Sequence, residues 1–183
     1  MRSVLCSVGV SCMFLAACDD DPFLIEWTEN PQESVLFALD RDELNSPSAY
    51  NMLARLQVVI EDPVTEGRWD FAVDRQNGQM VFLTPRVLGI PSEAALVPFP
   101  GMEFEEMRRA PSDTLLYVTD KPVPVELGTI YVVRTHEQIG SYGRICFYYG
   151  KLEPLEIDLQ AGVLRFLQDT SPACNNRSLV PPR

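Results

Sequence analysis

Histidine is almost missing from this chain: His136 is the single one in 183 residues. There is no Cys-x-x-Cys pair either, so the usual ligand sets of a zinc site are absent. No metal and no other cofactor is expected. The Gly-x-Ser-x-Gly elbow of serine hydrolases does not occur. Basic residues are scarce. Fifteen Lys and Arg stand against 26 Asp and Glu, giving a net charge of −11 and an isoelectric point near 4.5. That balance excludes a nucleic-acid partner, because such binding relies on cations neutralising phosphates. It also argues against electrostatic adhesion to anionic lipid. No run reaches the roughly 20 apolar residues that a membrane-spanning helix needs. Internal repeats and low-complexity tracts are absent as well.

What is present begins with an address. Met1-Arg2 carries one positive charge, and a mostly apolar run follows from Val4 to Ala17. A charged start before a short apolar stretch is the layout of a secretory signal. The run closes on Leu15-Ala16-Ala17-Cys18. This motif resembles the lipobox of bacterial lipoproteins. The resemblance covers the leader alone. It implies that residues 1–17 are removed, that Cys18 becomes the lipidated N-terminus, and that the protein is held in the bacterial cell envelope, periplasmic or surface-facing. A lipid anchor on the membrane is then the first expected partner, since two or three acyl chains attach stably. An ordinary cleaved signal, or an uncleaved anchor, is the competing reading. Asp19-Asp20-Asp21 and Pro22 open a polar tether, which is taken to run over residues 18–32.

Removing the leader leaves 166 residues, close to the size of one domain, which is assigned to 33–183. It also takes away Cys6 and Cys12. With Cys18 occupied by lipid, Cys146 and Cys174 remain, an even number in an oxidising compartment. They are predicted to pair, a link worth about 3.6 kcal/mol on the chain-entropy model. Two buried thiols or half of a metal site are the alternatives.

The chain after the leader reads as short apolar runs cut by 15 prolines and nine glycines, the pattern of an all-β sandwich-like domain with one or two short helices. Strands are expected at Glu33–Leu39, Val58–Ile60, Met80–Leu83, Leu115–Val118, Gly128–Thr135 and Ile145–Tyr149. Ser46-Pro47 followed by Tyr50, Leu53 and Leu56 predicts a short helix over 47–55. Trp69, Phe71 and Val73 alternate with Asp70, Ala72 and Asp74 ahead of Asn77-Gly78. That predicts a hairpin with one buried and one wet face. A late hairpin is expected around Gln160-Ala161-Gly162, from Ile157 to Leu167. Pro85, Pro91, Pro98, Pro100 and Pro111 break up residues 85–114, with one helical turn at Phe104 and Met107. Residues 172–183 read as an irregular tail pinned by Cys174.

Motifs that carry chemistry are thin. His136 and Glu137 are adjacent, so on a strand they face opposite ways, and a polar strand end accounts for them better than catalysis. Asp40, Asp42 and Glu43 lack the glycine and later ligands of a calcium loop. Gly143 and Gly150-Lys151 lack the spacing of a phosphate loop. The richest cluster is aromatic: Tyr142, Tyr148 and Tyr149, with Phe147 and the cations Arg144 and Lys151 around them. Aromatics beside cations suit a protein or glycan partner, while plain core packing is the simpler explanation. The expected function is a membrane-anchored envelope lipoprotein with a non-catalytic binding or structural β-domain. The alternative is an envelope hydrolase acting on glycan or peptide through paired carboxylates.

Overall fold

The computed structural model describes residues 25–182. Cys18, the lipobox and most of the tether lie outside them. The body is mainly β, as its punctuation predicts. Strands β1 (Gln32–Phe37), β2 (Ala49–Asn51), β3 (Leu56–Val58), β4 (Phe71–Gln76), β5 (Gln79–Leu83), β6 (Ala95–Pro100), β7 (Val123–Pro124), β8 (Thr129–Arg134), β9 (Gln138–Ile139), β10 (Ile145–Cys146), β11 (Tyr149–Asp158) and β12 (Val163–Thr170) follow in chain order. One five-stranded sheet has the order β1-β12-β11-β8-β6 and the other β3-β2-β4-β5-β7, while β9 and β10 form a separate two-stranded ribbon.

The two sheets face each other across one core. Leu36, Leu96, Tyr131, Val133, Leu152, Leu164 and Phe166 meet Tyr50, Phe71, Val73, Met80, Phe82 and Val123 there. Edge-on aromatic contacts run through it: Tyr50 on Phe166 at 5.2 Å, Phe71 on Phe82 at 5.1 Å and Phe82 on Tyr131 at 4.9 Å. Each such pair adds about 0.5–1.5 kcal/mol beyond its buried area. The Tyr131 hydroxyl donates to the Pro124 carbonyl at 2.7 Å and accepts from Glu126 N–H at 2.9 Å. This ties β8 to β7 in the opposite sheet.

The outer face of the first sheet is also covered. Ala95, Val97, Ile130 and Val132 point away from the sandwich and are roofed by Phe104, Met107, Ala110, Tyr117 and Leu179. Burial on both faces explains the unbroken apolar run Ile130–Val133. The tail contributes through Leu179, whose N–H donates to the Arg108 carbonyl at 2.9 Å. It is irregular, as expected, yet well seated.

Three local expectations are corrected. The helix over 47–55 is instead β2 and a turn into β3. Ser48, Ala49, Tyr50 and Met52 are all buried while Leu56 is exposed, and residues 49–51 pair with β3 on one side and β4 on the other, so the chain is extended. Ser48 N–H donates to the Val58 carbonyl and the Ser48 carbonyl accepts from Val73 N–H, spending a donor and an acceptor that a helix would need. The wet face of 69–74 is not wet. Asp70 and Ala72 are fully buried, because Ala72 packs with Ala49, Val58 and Trp69 beneath Ile60 and Ile90. The strand at 115–118 is a 3₁₀ turn over Thr114–Leu116 followed by a single bridge from Val118 to Leu96. Helical structure among the described residues is confined to four such short turns.

The hairpins at Asn77-Gly78 and 159–162 form where expected, and both Asn77 and Gly78 adopt positive φ. Strand β6 lies within the proline-rich stretch. It is a sheet edge, where Pro98 and Pro100 cost no ladder bond to an outer neighbour.

Candidate binding ribbon and its surroundings

Cys146 and Cys174 are disulfide-bonded, with Cα atoms 5.1 Å apart. Cys146 is buried at the end of β10, and the bond anchors the β9–β10 ribbon to the tail. Asn175 braces the same place: its side-chain carbonyl accepts from Phe147 N–H at 2.9 Å and its amide donates to the Ile145 carbonyl at 3.0 Å. Gly140 lies against the disulfide so closely that a Cβ there would collide with the Cys146 sulfur. The root of the ribbon is therefore rigid.

Its tip is apolar and bare. Ile139 and Ile145 face each other directly across the ribbon. They are 86% and 60% exposed, and Tyr142 at the turn is fully exposed. Tyr142 and Gly143 both have positive φ, 60° and 74°, and Arg144 N–H closes the turn on the Ser141 carbonyl. A turn of this kind favours Asn-Gly. A tyrosine held in the left-handed region costs about 1–3 kcal/mol, and Tyr142 makes no aromatic contact that offsets it among the described residues.

The other expected aromatics fare differently. Tyr148 is half-buried, with its N–H on the Thr135 hydroxyl at 3.0 Å. Tyr149 is half-buried edge-on to Tyr117 at 6.4 Å. Phe147 lies under the Arg134 guanidinium, 5.5 Å from the ring centroid. Lys151 is not a cation beside exposed rings, which corrects that expectation. It is buried on the outer face of β11, donates to the Phe104 carbonyl at 2.7 Å and sits 4.3 Å from the Phe104 ring centroid. Burial lowers its pKa, opposed by Glu29, Asp169 and Glu105.

His136 has a partner that its neighbours in sequence do not reveal. Its Nδ1 lies 2.6 Å from the Asp70 carboxylate, which also accepts from His136 N–H at 2.7 Å and Met52 N–H at 2.6 Å. Glu137 turns elsewhere and accepts from Glu93 N–H at 3.1 Å. An Asp–His pair can orient an imidazole for proton transfer. Here the carboxylate is fully buried and joins three backbone or ring donors from separate segments. The carboxylate thereby ties the residues after β8 to the β2–β3 turn.

Among the described residues one carboxylate, that of Glu153, has a shifted pKa. Burial raises the Glu153 pKa, and the neighbouring Glu103 and Glu105 add to the shift. Among the described residues no group of three or more His, Cys, Asp or Glu is arranged to hold a metal. No helix among them is long and apolar enough to cross a membrane.

Sequence reasoning found the Cys146–Cys174 bond; it singled out Tyr142, which the structure leaves exposed, and passed over Ile139, Ile145 and Asp70. The first two were legible in principle, since Gly140 and Gly143 between isoleucines spell a tight ribbon. Asp70 was not, because its partners are 18 and 66 residues away. No protein-family model matches this chain, and no curated protein matches it.

Proposed function

We propose that this protein is a lipid-anchored component of the bacterial envelope whose β-sandwich binds rather than catalyses. The observation that carries the binding half is the ribbon tip: Ile139, Tyr142 and Ile145 exposed together on a disulfide-braced root. Apolar side chains on so rigid a support form a docking element at no cost in loop ordering. The anchoring half rests on Leu15-Ala16-Ala17-Cys18. Intact mass of the membrane-extracted protein tests the anchor: diacylglycerol on Cys18 is expected, with release to the soluble fraction in Cys18→Ala. A wild-type chain that is already soluble and carries no lipid refutes it. For the binding half, mild crosslinking on native envelopes, to lipid or to protein, is expected to lose its adducts in Ile139→Ser/Ile145→Ser.

The second reading, a hydrolase, has one observation in its favour. Glu153 has a raised pKa beside Glu103 and Glu105, and unequal carboxylates are how acid and base roles are divided. Turnover of a glycan or peptide substrate abolished by Glu153→Gln supports it. Turnover retained in that variant dismisses it.

A further inference from the structure

The ribbon tip and the N-terminal tether leave the sandwich at the same end. Gln32, the first residue of β1, is in register with Gln168, which is in register with Leu152 of β11. Two strand spacings place Gln32 about 10 Å from Leu152. Just before β1, Asn30 N–H donates to Asp169 at 3.2 Å and the Asn30 carbonyl accepts from Arg55. Arg55 in turn bridges the buried Asp169 at 2.6 Å. Asp169 is in register with Lys151, and Tyr149 begins the strand that the ribbon feeds. The chain between Cys18 and Ile25 spans at most about 25 Å. A lipid on Cys18 therefore holds this end of the sandwich close to the bilayer.

The composition of the ribbon fits that surface. No Asp or Glu occurs between Gln138 and Leu152, in a chain with 26 of them. Glu137 and Glu153 bracket the gap. The tip offers two isoleucines for the acyl boundary, a tyrosine for the headgroup level and Arg144, exposed, for the phosphates. Three side chains on a narrow ribbon are too few for a stable protein interface, which needs about 800 Å² per partner. They are enough to seat a body that is already tethered.

We infer that the β9–β10 ribbon dips into the lipid interface and sets the orientation of the anchored sandwich on its membrane. The inference rests on the anchored reading above. It predicts apolar insertion rather than charge attraction, so neutral lipid suffices.

The test uses the full exported chain in vesicles of phosphatidylethanolamine and phosphatidylcholine with brominated acyl chains. Tyr142→Trp is compared with Leu159→Trp, which lies beyond the far end of β11, about 30 Å away. The emission of the unsubstituted chain, from Trp27 and Trp69, is subtracted. Quenching of Tyr142→Trp without quenching of Leu159→Trp is expected. In a Cys18→Ala background, Ile139→Ser/Ile145→Ser is expected to weaken vesicle partitioning at least about tenfold.

Equal quenching at both positions, or none at either, overturns the inference. So does a Tyr142→Trp chain that stays bright in lipid but crosslinks to an envelope protein or to a second copy of itself. The mass of Cys18 is read on the same samples. Lipidated but unquenched protein thus sinks the insertion alone, and a bare Cys18 sinks the anchor.

Discussion

Asp70 shows how much one side chain can hold. It is fully buried and accepts from Met52 N–H, His136 N–H and the His136 ring. Asp70→Ala leaves two backbone donors without partners, at about 1–3 kcal/mol each. A loss of about 3 kcal/mol in urea-induced unfolding is expected, with Asp70→Asn milder because one acceptor survives. If Asp70→Ala unfolds at the wild-type midpoint, the tie between the two sheets is not structural. Glu153 gives a pH-dependent counterpart. Its folded pKa is raised by burial and by Glu103 and Glu105 above the ordinary 4.5. A raised group contributes stability below its unfolded pKa and loses it as pH rises through the folded value. Glu153→Gln is therefore expected to raise the melting temperature at pH 7 relative to wild type. The gain should vanish below about pH 4, where both forms are neutral. A gain that persists there would point to packing rather than charge.

At the scale of elements, the ribbon depends on its brace. Cys146 and Cys174 close a loop of 28 residues, and removing the bond by Cys146→Ala/Cys174→Ala is expected to cost about 3.6 kcal/mol. Hydrogen exchange at Ile139 and Ile145 should accelerate more than exchange in β8. Uniform acceleration would mean that the disulfide stabilises the whole domain and not the ribbon in particular. Strand β11 contains a second pressure point. A Cβ on Gly150 would meet Met52 Cε at 2.5 Å, Thr170 Oγ1 at 2.7 Å and the Asp169 carbonyl at 2.8 Å. Two of these belong to β12, so the neighbours cannot simply swing aside. Gly150→Ala is expected to destabilise by about 1–3 kcal/mol, read as a lower denaturant midpoint. Gly78→Ala, with open space around it but φ of +79°, should lose less, through backbone strain alone.

At the scale of the whole molecule, the two sheets and their roofs divide the work. The sandwich core and the outer cluster on β6 and β8 make a stiff body, and the ribbon projects from one end. The local signals that repeat every two residues were readable. The Asn77-Gly78 turn follows from the positive φ that both residues tolerate, and the alternation of Trp69, Phe71 and Val73 from side-chain direction along a strand. The span 47–55 was misread because Tyr50, Leu53 and Leu56 also fit a helical stripe, and only ladder pairing with β3 and β4 selects the extended chain. Burial of Asp70 and Lys151 was illegible for a similar reason. A charged residue reads as solvent-facing until distant backbone supplies its hydrogen bonds.

The chain alone thus determined its class, its turns and its cysteine pairing. The first two depend on local backbone preference and on composition; the pairing was read on the expectation of export, and the Cys146–Cys174 bond bears out the pair itself. Tertiary structure alone decided which faces are covered, which carboxylate meets His136, and that Ile139 and Ile145 stand opposite each other in the open. These are relations between segments tens of residues apart, set by the packing of one sheet on the other, and no window along the sequence contains both partners.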